Sequence, residues 1–174
     1  MNSSNPSNLI LIGMPGAGKS TVGVVLAKRL GYRFIDSDLL IQEREGKTLS
    51  RIIEQEGTEG FLAIEEKVNC EIMTDRCVIA TGGSAVYSRD AMRHLKSIGV
   101  VVYLWESCSH LKKRLGDLTD RGVVLRDGQT LEDLYAERAP LYEKYADLTV
   151  REESFDISGT VREICAQLKR CGVL

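Results

Sequence analysis

Apolar residues are arranged along the chain in two alternating patterns. Short runs rich in apolar residues, typical of buried strands, occupy residues 9–12, 32–35, 77–80, 100–105 and 148–150. Between them the apolar residues recur every three or four positions, which predicts amphipathic helices. The helices are expected at residues 21–30, 39–45, 48–56, 89–98, 109–115 and 158–168, with a longer helix after Gly57 and another opened by Thr130. Because strands and helices alternate throughout, the pattern predicts an α/β fold with a parallel sheet covered on both faces.

The glycine-rich stretch Gly13-Met14-Pro15-Gly16-Ala17-Gly18-Lys19-Ser20 lies between the first predicted strand and the first predicted helix. In this context the pattern G-x4-G-K-[ST] indicates a phosphate-binding P-loop. Its glycines allow backbone N–H groups to point inward around an anion, and the helix N-terminus adds its positive end. We expect Lys19 to reach the outer phosphates and the Ser20 hydroxyl to bind magnesium. A glycine turn without a ligand is the alternative, and the complete pattern with both flanking elements argues against it.

Two polar segments follow predicted strands. Asp36 and Asp38 come after the second strand, and Thr81-Gly82-Gly83 comes after the third. Acids at positions i and i+2 at the end of a strand are expected on one side, facing the crevice where open α/β sheets bind ligands. Asp36 and Asp38 are therefore candidates to bind magnesium and the substrate at this edge of the sheet. The alternatives are a solvated pair of acids in a loop or a helix cap. The two glycines either allow close approach of a ligand to the backbone or only form a turn.

Three arginines are candidates for binding anionic groups. Residues 116–128 are polar and contain several glycines, and their apolar residues do not recur at the spacing of a helix or a strand. Such a segment indicates a functional lid or disorder. Arg121 in this segment and Arg114 before it are candidates to close over a nucleotide, unless they are ordinary surface arginines. Arg138 lies on the apolar stripe of its helix with no acidic residue three or four positions away. Its charge must therefore be compensated from elsewhere. A ligand carboxylate could pair with it, a remote acidic residue could form a salt bridge with it, or its head group could extend to solvent.

Composition limits the classes of partner and compartment. The length of 174 residues fits one domain, and the formal net charge of -2 argues against a general nucleic-acid binder. No apolar run approaches the roughly 18 residues of a membrane span, and residues 1–8 are too polar for a signal peptide. The five cysteines are scattered, lack a C-x2-C pair and stand at no ligand spacing from the histidines. We therefore expect a cytoplasmic protein without a zinc site, whose partner is a small molecule.

The order of these features resembles the shikimate kinase family nearly from end to end. The resemblance is carried by the P-loop, Asp36-x-Asp38, Thr81-Gly82-Gly83, Arg121 and Arg138-Ala139-Pro140-Leu141-Tyr142. It implies a three-layer α-β-α P-loop fold of the nucleoside-monophosphate-kinase type, with a five-stranded parallel sheet. It also implies that residues 1–174 form a single, monomeric kinase domain with a helical substrate-binding region at about 36–65 and a lid loop at about 114–128.

The resemblance further implies an ATP-dependent transferase of amino-acid biosynthesis that phosphorylates a hydroxyl of a small carboxylate-bearing metabolite, shikimate. ATP would be bound by Gly13, Gly16, Ala17, Gly18, Lys19, Ser20, Thr21, Arg114 and Arg121, and Mg²⁺ by Ser20 and Asp36. The acceptor would be bound by Asp38, Glu65, Gly82, Gly83 and Arg138. Lys19, Asp38 and Arg121 would be the catalytic residues, with Asp38 hydrogen-bonded to the acceptor hydroxyl and a candidate to take its proton.

The chain departs from the family pattern mainly on the acceptor side. Leu62 stands where the family has a second arginine for the acceptor carboxylate, and Ser84 replaces the third glycine of a Gly-Gly-Gly turn. In the lid, Arg121-Gly122-Val123 replaces Arg-Pro-Leu. Loss of the second arginine is expected to weaken carboxylate binding by about 1.5 to 3 kcal/mol. Homoserine or another small hydroxy acid therefore stays open as an acceptor beside shikimate.

Two classes other than a kinase are less compatible with the sequence. A non-catalytic nucleotide-binding regulator would be expected to lose Lys19 or Asp36 as readily as an acceptor residue, and both are present. A GTPase switch or mechanical ATPase is disfavoured because the chain has no Asn-Lys-x-Asp motif and no acid pair after a strand in a Walker B position.

Overall fold

One five-stranded parallel sheet forms the centre of the part of the chain that the computed structural model describes, which comprises residues 7–115, 126, 128–151 and 156–174. Its strands are β1 (Asn8–Ile12), β2 (Arg33–Asp36), β3 (Cys77–Ala80), β4 (Gly99–Trp105) and β5 (Leu148–Arg151). They pair in the order β2-β3-β1-β4-β5. The runs predicted as strands are confirmed, with ends displaced by at most one residue.

Helices connect successive strands, as the spacing of apolar residues predicts. Those within the described ranges are α1 (Lys19–Leu30), α2 (Ser37–Glu45), α3 (Leu49–Cys70), α4 (Arg89–Ile98), α5 (Cys108–Leu115), α6 (Leu131–Tyr145) and α7 (Ile157–Arg170). A short 3-10 helix, Ala85–Tyr87, follows β3. None of these helices is long and apolar enough to pass through a bilayer.

The central strand β1 separates two apolar clusters. Leu9 and Leu11 pack with residues of α1 and α7 on one face of the sheet. Ile10 and Ile12 pack with residues of α4, α5 and α6 on the other face. Because successive side chains of a strand point to opposite faces, every residue of this run is buried. The predicted three-layer α-β-α arrangement is confirmed.

The carboxyl ends of three neighbouring strands meet at one edge of the sheet. Leu11 of β1 and Asp36 of β2 are both paired with Ala80 at the end of β3. The loops after these strands are therefore side by side, at the edge where open α/β sheets bind ligands. The P-loop, the acidic segment and the Gly82-Gly83 turn all lie at this edge.

The second helix begins earlier than predicted, and this changes the geometry of the acid pair. Asp36 caps α2, because its Oδ1 accepts the backbone N–H of Asp38 at 3.0 Å and of Leu39 at 3.3 Å. The prediction that Asp36 and Asp38 share one side of a strand is wrong. Asp36 ends β2, whereas Asp38 lies in the first turn of α2.

Two other helix predictions concern Gly57 and Thr130. Gly57 divides α3 into a shorter and a longer helical part, because its backbone angles of φ 70° and ψ 177° are not helical, and the predicted separation at this residue is confirmed. The helix predicted to begin at Thr130 is α6, and it begins with a capping box formed by Thr130 and Asp133. Pro140 does not end α6, which continues to Tyr145.

Candidate active site

The P-loop joins β1 to α1 in a conformation that requires glycine. Gly13, Gly16 and Gly18 have φ values of 149°, 81° and 83°, in the region that other residues rarely adopt. Close packing adds to the requirement. A Cβ on Gly13 would lie 2.7 Å from the carbonyl oxygen of Leu104, and one on Gly16 would lie 2.8 Å from the Leu115 side chain. The glycines that define the motif are therefore fixed by backbone shape and packing.

Lys19 is the first residue of α1, and its side chain folds over the loop. Its Nζ donates hydrogen bonds to the carbonyl oxygens of Gly13 at 2.7 Å and Met14 at 2.9 Å. Lys19 is 8% exposed, and burial lowers its pKa to about 8, against the opposing effect of the Asp38 carboxylate. The ammonium group is therefore mostly protonated at neutral pH and lies at the loop that the sequence predicts to bind phosphates.

Ser20 and Asp36 form the candidate metal site. The Ser20 hydroxyl donates to Asp36 Oδ2 at 2.5 Å, while the other oxygen of Asp36 caps α2. Mg²⁺ prefers oxygen ligands and usually binds one or two protein oxygens together with substrate phosphates and water. Among the described residues, no group of three or more acidic, histidine or cysteine side chains is arranged so that it could hold a metal ion. This pair fits the magnesium mode, and the helix-cap alternative also holds for Asp36.

Two carboxyl groups, that of the half-buried Asp38 and that of the buried Glu65, flank Gly82. A Cβ on Gly82 would overlap Glu65 Oε1 and lie 2.7 Å from Asp38 Oδ1. Burial raises the pKa of Asp38 to about 6, with the Asp36 carboxylate adding to the effect. Burial also raises the pKa of Glu65 to about 7, against the hydrogen bond that the Ser84 hydroxyl donates to its Oε2 at 2.6 Å. Asp38 is therefore mostly ionised at pH 7, whereas Glu65 titrates near neutrality.

Arg138 is buried against the glycine turn. It is 1% exposed, so its head group does not reach bulk solvent. Its Nη1 lies 3.0 Å from the position that a Cβ on Gly83 would take. The carbonyl oxygen of Gly83 accepts a hydrogen bond from the Tyr142 hydroxyl at 2.7 Å. The inward-facing arginine predicted from the apolar stripe thus lies at the turn predicted to bind a ligand.

Arg114 lies beside the P-loop in the last turn of α5. Its Nη1 donates to the carbonyl oxygen of Gly16 at 2.8 Å and lies 3.9 Å from Glu106 Oε2. Its side chain is only 16% exposed, so the alternative of an ordinary surface arginine is wrong. Arg121 and most of the predicted lid lie outside the described residues.

A cleft of about 490 Å³ brings these groups together. The predicted site residues that line it are Gly16, Gly18, Lys19, Ser20, Thr21, Asp38, Gly82, Gly83, Arg114 and Arg138. Four other predicted residues do not line it. Gly13 and Ala17 are buried within the P-loop, Asp36 contacts Ser20, and Glu65 contacts Ser84.

Sequence reasoning missed the apolar part of the cleft and one polar contact. Leu49, Phe61 and Leu115 line the cleft, but apolar residues at helical spacing indicate core packing equally well. Leu62 lines a neighbouring cavity of about 240 Å³, together with Glu65, Ser84 and Tyr87. Tyr87 gives no signal in the sequence, because its contact with Arg138 joins positions 51 residues apart.

Comparison with known proteins identifies the family. A family model for shikimate kinase matches residues 15–169. The chain belongs to the shikimate kinase family. A shikimate kinase of Vibrio vulnificus (strain YJ016) is 38% identical over 165 residues, covering 93% of this chain and 96% of the relative. That of Thiobacillus denitrificans is 40% identical over 169 residues, covering 95% and 92%.

Solved shikimate kinase structures share the fold. The shikimate kinase from Acinetobacter baumannii in complex with shikimate matches with a TM-score of 0.89 and 33% identity, covering 97% of this chain and 96% of that one. The family resemblance and the predicted P-loop kinase fold are confirmed. As a member of the shikimate kinase family, the protein is an ATP-dependent phosphotransferase with an alcohol group as acceptor. Shikimate kinases use ATP with a divalent metal ion.

Proposed function

We propose that this protein transfers the γ-phosphoryl group of ATP to shikimate, giving shikimate 3-phosphate and ADP, with Mg²⁺ as the metal ion. The observation that carries the proposal is that Lys19, Asp38 and Arg138 line one cleft. They supply a cation for phosphate, a carboxylate for the hydroxyl proton and a buried guanidinium for a carboxylate. The Acinetobacter baumannii enzyme, whose complex contains shikimate, supports the choice of acceptor.

On the nucleotide side, the residues hold and neutralise phosphate groups. Backbone N–H groups from Gly13 to Thr21 would bind the phosphates, with the N-terminus of α1 adding its partial positive charge. Lys19 would exchange its contacts with the loop carbonyls for contacts with the outer phosphates. Arg114, held at the carbonyl oxygen of Gly16 beside the P-loop, would pack against the adenine. Arg121 would add positive charge from the lid.

The metal ion would be held by Ser20 and Asp36, with Asp36 acting through water. When bound, Mg²⁺ neutralises phosphate charge and orients the nucleotide. Asp36 keeps its cap on α2 through Oδ1 while Oδ2 faces Ser20. The cap thereby fixes the direction of the carboxylate.

On the acceptor side, Asp38 and Arg138 position the substrate. Arg138 would bind the carboxylate through charge-assisted hydrogen bonds at the Gly82-Gly83 turn. Asp38 would accept a hydrogen bond from the reacting hydroxyl. Its raised pKa of about 6 leaves it ionised at neutral pH yet able to hold a proton. Glu65, fixed by Ser84, would order the wall behind the turn.

The reaction is an in-line displacement. A bond forms between the acceptor oxygen and the γ-phosphorus, the bond to the oxygen between the β- and γ-phosphorus atoms breaks, and the hydroxyl proton passes to Asp38 and then to solvent. Such a transition state requires mainly positioning and cations around the phosphoryl oxygens. Lys19 and Arg121 would supply charge, and closure of the lid would exclude water as a competing acceptor.

The proposal also includes the domain organisation, the oligomeric state and the cellular compartment predicted from the sequence. Residues 1–174 would be one kinase domain, monomeric and cytoplasmic, with a lid at about 114–128. The assignment of about 36–65 to substrate binding is supported by Asp38, Leu49 and Phe61, which line the cleft. Sedimentation equilibrium, with a single species of 19.3 kDa expected, tests the monomer.

The test of the function is ADP release with ATP and Mg²⁺, comparing shikimate, homoserine and a panel of small hydroxy acids. Turnover with shikimate, and a product identified as shikimate 3-phosphate by phosphorus NMR, is the expected result. Turnover only with another acceptor, or none with shikimate, would refute the proposal. Homoserine serves here as a competitor, since the comparisons do not favour it and do not support an altered acceptor at Leu62 and Ser84.

A further inference from the structure

An arginine that recognises a carboxylate must be held in one orientation. The guanidinium group is planar and presents its donors in a fixed fork, so rotation about the side chain changes which atoms face the ligand. Arg138 stands on α6, while the turn that it faces belongs to the segment after β3. Its orientation therefore depends on contacts between these two segments.

Tyr87 makes two such contacts with Arg138. The guanidinium carbon lies 5.0 Å from the centroid of the Tyr87 ring, in a cation–π arrangement. Arg138 Nε also donates a hydrogen bond to the Tyr87 hydroxyl at 3.0 Å. Tyr87 ends the short helix that follows the Gly82-Gly83-Ser84 turn. One short segment thus carries both the wall of the acceptor site and the residue that contacts its arginine.

The direction of hydrogen bonding around the Tyr87 hydroxyl is determined by Glu137. The hydroxyl donates its single proton to Glu137 Oε1 at 2.7 Å, so its oxygen is available as the acceptor for Arg138 Nε. Burial raises the pKa of the Tyr87 hydroxyl, so the proton stays in place at neutral pH. The other oxygen of Glu137 accepts from Gln129 Nε2 at 3.0 Å and lies 3.7 Å from Arg126 Nη1. Glu137 is thereby held from both sides.

Tyr87 also stands beside the position where the family pattern has its second arginine. Leu62 and Tyr87 line the same cavity of about 240 Å³, which adjoins the acceptor cleft through Ser84. We infer that Tyr87 is a positioning residue that fixes Arg138 for the acceptor carboxylate, in a chain that has leucine at position 62. This inference rests on the proposed function, because it requires Arg138 to bind the acceptor carboxylate.

Tyr87→Phe is the first test, since it keeps the ring over the guanidinium and removes only the hydroxyl. The KM for shikimate is expected to rise about 5- to 20-fold, because a hydrogen bond to a charged donor is lost, while kcat and the KM for ATP change by less than about twofold. Tyr32→Phe is the matched control. Tyr32 faces Arg76 in a similar ring contact at 5.5 Å, next to the amino end of β2 and away from the cleft. It should leave all three constants unchanged.

A second measurement separates positioning from a general structural role. In Tyr87→Phe, kcat/KM for shikimate should fall more than that for its carboxamide, which cannot form the charged pair with Arg138. A background of Arg138→Lys, which has no Nε, should abolish the effect of Tyr87→Phe on the shikimate KM. Glu137→Gln, which weakens the acceptor of the Tyr87 proton, should raise the shikimate KM about twofold to fivefold and provides an independent test if Tyr87→Phe folds poorly.

Three outcomes would overturn the inference. They are an unchanged shikimate KM in both Tyr87→Phe and Glu137→Gln, equal losses for shikimate and its carboxamide, or the same effect of Tyr87→Phe in the Arg138→Lys background. Each of these would leave the proposed function intact if the unaltered protein phosphorylates shikimate. Absence of shikimate turnover in the unaltered protein would overturn the function and this inference together.

Discussion

Replacing Glu65 with glutamine is expected to stabilise the folded protein at alkaline pH and to have little effect in acid. Glu65 is 2% exposed, and its Oε1 has no hydrogen-bond partner among the described residues. Burial raises its pKa from 4.5 to about 7, partly offset by the hydrogen bond from Ser84. A carboxyl group whose pKa is raised by folding binds its proton more tightly in the folded state, so its ionisation opposes folding.

The size of the effect follows from the two pKa values. Below pH 4.5 the carboxyl group is protonated in both states and costs nothing. Between pH 4.5 and about 7 only the unfolded chain loses its proton, so the cost grows with pH and then levels off. Each unit of difference in pKa corresponds to about 1.4 kcal/mol, which gives a cost of about 3 kcal/mol above neutral pH. Glutamine removes the charge but weakens the bond from Ser84 by about 1 kcal/mol, which leaves a net gain of about 2 kcal/mol.

Urea unfolding at pH 5 and pH 8, without nucleotide or metal ion, measures this gain. The free energy of unfolding of Glu65→Gln should exceed that of the unaltered protein by about 2 kcal/mol at pH 8 and by less than about 0.5 kcal/mol at pH 5. Glu66→Gln removes the same charge from an exposed neighbour on α3 and serves as the control. A loss of stability at pH 8, or an equal change at both pH values, would refute the reasoning. A loss at pH 8 would mean that the folded state stabilises the ionised carboxylate, and an equal change at both pH values would mean that folding does not raise the pKa of Glu65.

Three further substitutions test the proposed mechanism. Lys19→Ala should abolish ADP release while thermal unfolding shows an intact fold, and near-normal turnover would contradict the role of Lys19. Asp38→Asn should lower kcat by at least about 100-fold, with the Kd for ATP changed less than about threefold by calorimetry. It should also remove the acid limb expected near pH 6 in kcat/KM, because the Asp38 carboxylate must be ionised to accept the proton, and near-normal turnover would refute the role of Asp38. Leu62→Arg should lower the Kd for shikimate about tenfold, unless position 62 is out of reach of the carboxylate, in which case affinity would stay unchanged or fall.

The fold could be predicted from the sequence because its signals are local. The run at β3 is apolar at every position, as burial on both faces requires, and the strand has the predicted ends. Gly57 correctly marked the separation between the two helical parts of α3, because its backbone is not helical. Helix boundaries were harder to predict than the strands. The start of α2 was missed because Asp36, the last residue of β2, is also the residue whose side chain caps α2. A residue that ends a strand and caps the next helix satisfies both sequence patterns, so neither pattern alone locates the boundary.

The candidate site was predictable where a short motif carries the chemistry. The P-loop specifies its own backbone shape, so Lys19 and Ser20 could be assigned from spacing alone. Arg138 could be predicted by a different argument, since a charge on the apolar stripe of a helix requires a partner. The role of Tyr87 could not be predicted, because it depends on the contact between two segments that are 51 positions apart in the sequence. The apolar wall at Leu49 and Phe61 was hidden for another reason, since residues that line a cleft and residues that fill a core have the same composition.

The two departures on the acceptor side meet at one carboxyl group. Leu62 precedes Glu65 by three positions on α3, and Ser84 donates a hydrogen bond to Glu65 from the turn after β3. All three residues line the cavity behind that turn. Leucine at position 62 brings no positive charge to this cavity, where the resemblance predicted an arginine, while serine at position 84 contributes a donor that glycine lacks. Ser84 thus has a hydrogen-bond partner within the protein, Glu65, and its presence does not require an acceptor other than the proposed shikimate.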